Sequence, residues 1–201
     1  MHKKLNTNKL ILCGFFAALT AACSIISIPL PFSPVPVNLA TLSVFLSGSL
    51  LGAKGGALSQ FVYVSLGAVG LPVFHNFTGG PAVLAGPTGG FLAGYIAAAF
   101  IVGEVSKSGH NREFTVSHDG RRSKIKGRLL KQKEPSLLIG CTIGLFICYA
   151  LGTLWFMFVM GSGLWTALIL CVFPFLPGDA VKIIIAIIIT VKLKPFIENI
   201  N

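Results

Sequence analysis

Charged residues are scarce in this sequence of 201 residues, where they make up 11% of the chain and only six of them are acidic. Hydrophobic residues make up 54%, and the mean hydropathy is +0.82. A soluble globular domain usually contains about 25% charged residues, so the composition excludes that class. Because several apolar runs are long enough to cross a bilayer as helices, the sequence predicts an all-α integral membrane protein.

Motifs for catalysis and for metal binding are also missing. Five cysteines lie inside apolar runs without the spacing of metal ligands, so they are interpreted as small buried hydrophobic residues: Cys13, Cys23, Cys141, Cys148 and Cys171. The glycine-rich segment GPTGG (86–90) lacks the Lys-Ser/Thr of a phosphate-binding loop, and we interpret it as a tight helix entry. The sequence therefore predicts no ATPase, no metal and no cofactor within this chain.

Six apolar runs are predicted to span the membrane within one membrane domain that covers residues 1–201. Their approximate bounds are 10–29, 38–53, 56–74, 88–104, 136–160 and 177–193. The second run is short for a hydrocarbon core of roughly 30 Å at 1.5 Å per residue. The apolar stretch 164–176 is broken by prolines and is interpreted as a re-entrant or interfacial connection, with a seventh span as the alternative.

Basic residues predict the orientation of these spans. Nine Lys and Arg residues lie in the segment 105–134, which is predicted to be a soluble loop, and others flank the spans. With six spans, fifteen of the sixteen basic residues fall on one side, which the positive-inside rule makes cytoplasmic. Both termini are therefore predicted to be cytoplasmic, and the protein is predicted to reside in the cell membrane. The basic loop is explained by this rule and by attraction to membrane lipids, so it gives no reason to expect a nucleic acid.

Two charged residues are predicted to lie on the outer side, in the segment FLPGDAVK (175–182). Asp179 falls in the first turn of the last span, where the helix dipole favours a carboxylate, and Lys182 follows three residues later on the same face. Three outer connections, 28–38, 73–87 and 161–178, are rich in Pro, Gly and aromatic residues and are predicted to fold over an apolar cavity.

Two interpretations of this charged pair are open. The two side chains could pair with each other at the interface and reach water along their stems. Alternatively, ionisable residues at membrane depth mark a binding site by default. A carboxylate accepts N–H groups of a cyclic urea or amide and an ammonium holds an acid, so the pair suits a small ligand with both groups.

Four segments together resemble the signature segments of the BioY family, the biotin-binding S component of energy-coupling factor (ECF) transporters. They are PLPFSPVPVNLATL, which ends at Leu42, LGAVGLPVF (66–74), GPTGGFLAG (86–94) and FLPGDAVK (175–182). The resemblance implies a six-helix protein that captures biotin from outside. It also implies docking on an ECF module made of a transmembrane coupling protein and two cytoplasmic ATPases.

The resemblance also implies individual site residues. Asp179 and Lys182 match the acidic and basic pair of the family, and Asn76 matches a position expected to hydrogen-bond the ureido ring. Family members commonly have VTLQT where this chain has VNLAT, so Asn38 and Ala40 replace Thr and Gln there. Asn38 is kept as a candidate ligand contact.

Small residues on the first span form a further candidate surface. The segment AALTAA (17–22) places Ala17 and Ala21, and Ala18 and Ala22, four residues apart, which lets another helix approach closely. The resemblance implies that this strip docks on the coupling protein. The same spacing at Gly48/Gly52, Gly90/Gly94 and Gly140/Gly144 is equally consistent with packing inside the bundle.

Other functions have less support in the sequence. An intramembrane lipid-modifying enzyme would need several catalytic groups, and only Asp179 and His75 are available; His75 is interpreted as a hydrogen-bonding loop residue. A channel would need polar residues along several helices, and few occur. An S component for another vitamin remains an alternative that changes the ligand and keeps the class.

Overall fold

Helices make up most of the chain. The computed structural model describes residues 7–108 and 134–198, so the basic segment 109–133 lies outside the described residues. The helices are α1 (Thr7–Ile25), α2 (Ala40–Ala68), α3 (Pro81–Ala85), α4 (Gly89–Ser108), α5 (Glu134–Met160), α6 (Leu164–Cys171) and α7 (Leu176–Glu198). The predicted loop 105–134 therefore begins later than expected, because α4 continues to Ser108 and α5 begins at Glu134.

Helix α2 reverses its direction in the middle. Gly52 has φ 75° and ψ 177°, which are not helical angles and which glycine adopts without a Cβ clash. The amide of Gln60 donates to the hydroxyl of Ser47 at 3.0 Å although thirteen residues separate them, so the two halves of α2 run side by side. Each half is only about 18 to 24 Å long. The two halves of α2 thus form a helical hairpin, whose second half ends at Ala68.

An antiparallel β-hairpin corrects the all-α prediction. Strands β1 (Ser27–Leu30) and β2 (Ser33–Asn38) pair between α1 and α2, where a proline-rich loop was expected. Prolines are compatible with a two-stranded ribbon because both strands are edge strands, on which a proline nitrogen can face away from the partner strand. The hairpin is tied down by Ser33, whose hydroxyl donates to the carbonyl of Leu170 in α6 at 2.8 Å.

Helices long and apolar enough to cross a membrane number three among the described residues: Thr7–Ile25, Gly89–Lys107 and Pro135–Met160. A fourth span results if Leu164–Cys171 and Leu176–Pro195, which are bent by 52° relative to each other, act as one unit. The stretch 164–176 is accordingly too short for a span of its own and forms α6 and its connection to α7. The protein is thus a helical membrane protein.

Small residues let the central helices approach closely. A Cβ added at Gly48 would lie 2.5 Å from the carbonyl oxygen of Ala99, and one at Gly94 would lie 3.1 Å from Cys148. A Cβ at Gly144 would lie 2.8 Å from the side chain of Val102. These glycines therefore belong to the packing inside the bundle, which decides between the two interpretations of their spacing.

Among the described residues, Lys107 and Lys194 lie at the end of the bundle away from the charged pair. Cys13 contacts Gly55 in the turn of α2, and a Cβ at Gly52 would lie 3.6 Å from the side chain of Lys107. The ammonium of Lys194 donates to Ser106 at 3.3 Å. The β-hairpin, the turn that follows α2 and the start of α7 meet at the other end, where the cavity lies.

Candidate functional site

A cavity lies between the β-hairpin, the segment after α2, and the helices α4 to α7. Its apolar wall comes chiefly from aromatic and aliphatic side chains, including Val35, Phe91, Leu92 and Phe175. The polar groups of its lining are Ser24, Asn38, Thr41, His75, Thr88, Tyr95, Tyr149, Asp179 and Lys182. An apolar cavity with a few converging polar groups is the usual form of a small-molecule site.

Asp179 lies in the first turn of α7, as the sequence predicts, and its side chain is buried. The backbone N–H of Asp179 donates to Phe175 at 2.9 Å, so the turn is closed around it. Its carboxylate accepts from Thr41 at 2.9 Å and from the hydroxyl of Tyr149. Two helices far apart in sequence therefore converge on one carboxylate.

Lys182 completes this cluster. Its ammonium lies 2.8 Å from the carboxylate of Asp179, and it also donates to the carbonyl of Asn38 at 2.6 Å and to the hydroxyl of Thr41 at 3.1 Å. An ammonium has three N–H donors, and three acceptors surround this one. The side chains of Lys182 and Asp179 are only 8% and 2% exposed, so they do not reach water along their stems as the first interpretation supposed.

Burial of this ion pair carries an electrostatic cost. Removing two charges from water costs several kcal/mol per ion, and the attraction between them repays the cost only with good geometry and further hydrogen bonds. Asn38, Thr41 and Tyr149 supply those bonds. The arrangement thus holds a fixed acceptor beside a fixed donor at the wall of an apolar cavity.

His75 belongs to a short 3-10 turn, His75–Phe77, that follows α2 and lines the cavity. Neither ring nitrogen has a hydrogen-bond partner, although both are buried. The role of His75 as a hydrogen-bonding loop residue is met by its backbone carbonyl, which accepts from Thr78, and stays a prediction for its side chain. Burial without a compensating charge lowers the pKa of His75 below its ordinary value.

The two candidate asparagines occupy different places. Asn38 lines the cavity, and its side-chain oxygen accepts from the backbone N–H of Ala40 at 3.1 Å. Asn76 is not part of the lining; its side-chain oxygen accepts from the hydroxyl of Ser27 in β1 at 2.8 Å. The structure brings Asn38, Asp179 and Lys182 together and leaves Asn76 outside this group. The ligand contact of Asn76 stays a prediction.

The alanine strip of α1 divides into two faces. Ala17 is buried and Ala21 packs against the core, whereas Ala18 and Ala22 are exposed on the surface of the helix. Gly14, one turn before Ala18, is exposed as well, and a Cβ there would meet nothing within 4 Å. A smooth outer face therefore consists of Gly14, Ala18 and Ala22.

Sequence reasoning missed several groups at the site. Thr41 and Tyr149 hold the carboxylate of Asp179, and Tyr95 lines the cavity. Each is a polar residue within an otherwise apolar helix, and this contrast is the signal that could have identified it. In the part of the chain that the structure describes, no three His, Cys, Asp or Glu side chains converge as metal ligands would.

Comparisons with known proteins agree with the resemblance. A model of the BioY family matches residues 1–199. The chain is 39% identical over 189 residues to a protein of Thermotoga maritima named biotin transporter BioY, covering 92% of this chain and 95% of that one. A protein of Rhizobium etli with the same name is 34% identical over 183 residues, with 90% of each chain covered. These names are those of transporters, which supports the prediction that the chain is not an enzyme.

A solved structure has the same fold. It is described as the S-component for biotin from an ECF-type ABC transporter, at 2.1 Å. Its TM-score is 0.75 and its sequence identity is 26%, and the match covers 97% of this chain and 95% of the other. The arrangement of helices described above is therefore that of an S component.

Proposed function

This chain belongs to the BioY family, and we propose that it captures biotin from outside the cell as the substrate-binding S component of an ECF transporter. The observation that carries the proposal is the buried pair of Asp179 and Lys182 in the wall of an apolar cavity. Biotin has an apolar bicyclic body, a polar ureido group at one end and a carboxylate at the other. A cavity with aromatic walls and one polar cluster suits such a molecule.

The pair meets one end of the ligand. Because the carboxylate of Asp179 and the ammonium of Lys182 lie 2.8 Å apart, they cannot separately hold two groups at opposite ends of biotin. A ureido group carries N–H donors beside a carbonyl acceptor. Asp179 accepts from the N–H group, and Lys182 donates to the carbonyl. The ligand carbonyl then replaces one of the three acceptors that Lys182 has in the free protein. Charge-assisted hydrogen bonds of this kind are among the strong ones.

The asparagines have secondary roles in this proposal. The carbonyl of Asn38 accepts from the ammonium of Lys182, and the Asn38 side chain lines the cavity. Asn76 would contact biotin through its NH₂ group while its oxygen holds Ser27. Through its bond with Ser27 in β1, Asn76 links the β-hairpin to the turn after α2.

Six transmembrane segments fit the helices best, in a single membrane domain. The three long helices, the bent pair of α6 and α7, and the two halves of α2 give that number. Both termini and the basic segment 105–134 then lie in the cytoplasm, and the cavity faces outward. The clustering of Lys54, Lys107 and Lys194 at the end away from the cavity supports this orientation. The protein then resides in the cell membrane as a multi-pass protein.

Uptake requires a source of energy outside this chain. We propose that the protein docks on a transmembrane coupling protein, which joins it to two cytoplasmic ATPases. The exposed face of α1, with Gly14, Ala18 and Ala22, offers a surface where another helix can approach closely. Ala17 and Ala21 support that face from inside, since they pack against the core of this chain.

Equilibrium binding to the purified protein in detergent tests the proposed ligand. We expect biotin to bind, and thiamin and riboflavin, which lack a carboxylate at the end of an apolar chain, not to compete. Preferential binding of one of the other vitamins would show an S component for a different ligand. Absence of binding by all three would contradict the proposed function.

A further inference from the structure

We propose that His75 receives the carboxylate of the bound ligand and so determines that the protein prefers an acid over its neutral analogues. The inference rests on the proposed function, because it concerns the end of biotin opposite the ureido group. It arises from His75, which lines the cavity and whose two ring nitrogens are buried without a hydrogen-bond partner.

Polar groups buried without a hydrogen bond are uncommon because each loses its hydrogen bonds to water without replacement. His75 has two such atoms on one ring. A neutral imidazole offers one N–H donor and one acceptor, and a protonated imidazole offers two donors. A ligand carboxylate is therefore a partner that either form of the ring can bind.

Three other donors of the lining are already engaged. Lys182 donates to three acceptors, and Tyr149 and Thr41 both donate to Asp179. If the ureido group takes the place at this cluster, the ligand carboxylate needs a donor elsewhere in the cavity. His75, which comes from the turn after α2, lines the same cavity, and its side chain makes no hydrogen bond with the cluster.

The turn that carries His75 is held in place before any ligand arrives. Phe74 is fully buried, packs edge-on against Tyr63 at 5.5 Å between ring centres, and sits so close to Gly67 that a Cβ there would lie 2.0 Å from its ring. The carbonyl of His75 accepts from both the backbone N–H and the hydroxyl of Thr78, at 3.1 and 2.7 Å. The ring is thus positioned by its backbone, which lowers the entropy cost of binding.

The next two residues reinforce this interpretation. Asn76 and Phe77 have φ of 52° and 57°, in the left-handed region that residues other than glycine rarely adopt. Such strained residues persist only where the surroundings hold them, and they concentrate at binding sites. The bond from Ser27 to Asn76 supplies part of that support.

Binding of an anion beside His75 is expected to couple to a proton. In the free protein burial lowers the pKa of His75, so the ring is neutral near pH 7. A neighbouring carboxylate favours the protonated ring and raises this pKa. The bound protein then holds more protons than the free one, so affinity rises as the pH falls towards the pKa of the free protein and levels off below it.

Other titratable groups share the cavity and must be separated from this effect. They are Asp179 and Lys182 on α7, Tyr149 and Cys148 on α5, Tyr95 on α4 and Cys171 on α6, and Cys23 lies on α1, which packs against the 3-10 turn. All of them remain in a protein in which only His75 is changed. The difference between the two pH profiles therefore belongs to His75.

Binding of biotin and of its uncharged carboxamide to three proteins tests the inference: the wild type, His75→Leu and His75→Gln. We expect His75→Leu to lose about tenfold or more in affinity for biotin and little for the carboxamide, because only the acid makes a charge-assisted bond. His75→Gln keeps an N–H donor, so it should recover part of the affinity. It should lack the wild-type gain of at least about threefold between pH 8 and pH 6.

Size-exclusion elution and helical circular dichroism confirm that each variant is folded. Equal losses for biotin and carboxamide, or the same pH profile in the wild type and in His75→Gln, would overturn the role of His75 while leaving the proposed function intact. A wild type that binds no biotin would instead contradict the proposed function, and the inference with it.

Discussion

The carboxylate of Asp179 has three donors around it, from Thr41, Tyr149 and Lys182. Because each donor comes from a different helix, a single residue joins α2, α5 and α7. Removal of one partner from a buried ion pair is costly since the other charge is left without compensation. The same residues thus contribute to stability and to ligand binding, and the two effects must be measured separately.

Removal of one charge should cost both stability and affinity. We expect Lys182→Met to lower the free energy of unfolding by about 3 to 5 kcal/mol, because Asp179 stays buried without its cation. Biotin affinity should fall by roughly 30-fold or more, since a charge-assisted bond to the ligand is lost. Thermal unfolding in detergent and equilibrium binding measure the two effects.

The double variant Asp179→Asn with Lys182→Met separates the effect on stability from the effect on biotin affinity. It removes both charges, so it should regain much of the lost stability while biotin affinity stays low. If this variant binds biotin as well as the wild type does, the pair serves structure alone and its assignment to the ligand site is wrong.

The alanines of helix α1 lie on two different faces of the helix. Substitutions on the two faces therefore test different contacts. Ala18 faces outward, and Ala17, the preceding residue, is 2% exposed within the core. A leucine at Ala17 must find room among packed side chains, and overpacking usually costs about 1 to 3 kcal/mol. A leucine at Ala18 meets no such restriction inside this chain.

Substitutions on the two faces should therefore have opposite effects. We expect Ala18→Leu to leave biotin binding and thermal stability near the wild-type values. The same substitution should abolish uptake and co-purification with the transmembrane coupling protein. A bulky side chain on a surface of small residues keeps a partner helix away. Ala17→Leu is the matched control and should lower stability. Normal uptake by Ala18→Leu would show that this face is not the docking surface.

At the scale of the whole molecule, the described basic residues and the buried charged pair lie at opposite ends of the bundle. Lys54 follows the turn of α2 at Gly52, at the end of the bundle that also holds Lys107. Val69 follows the second half of α2, at the end that holds the cavity, and is 87% exposed. The half-helix between them fixes the two positions at opposite ends. They are thus suitable markers of the two sides of the membrane.

Labelling of single introduced cysteines tests the orientation. In a background whose five cysteines are replaced, Val69→Cys should react with an impermeant maleimide added to intact cells, and Lys54→Cys should react only after the membrane is opened. The background protein without an introduced cysteine is the control. Labelling of Lys54→Cys in intact cells would reverse the proposed topology.

The sequence by itself determined the class of the protein and the composition of its spans. Long apolar runs and scarce charges leave a helical membrane protein as the only outcome, because backbone polar groups in lipid must be satisfied within the segment. It also determined that Asp179 and Lys182 share a helix face, since residues three apart on a helix are neighbours whatever surrounds them.

Contacts between distant segments were decided only by the tertiary structure. Thr41 and Asp179 are 138 residues apart in sequence, and Lys182 and the carbonyl of Asn38 are 144 apart, so no local pattern announces either bond. The β-hairpin was missed because prolines in a sequence usually indicate a loop. The pairing of its two strands also depends on contacts between residues that are not adjacent in sequence. The division of the alanines on α1, and the buried, unpaired nitrogens of His75, likewise follow from which surfaces the fold covers.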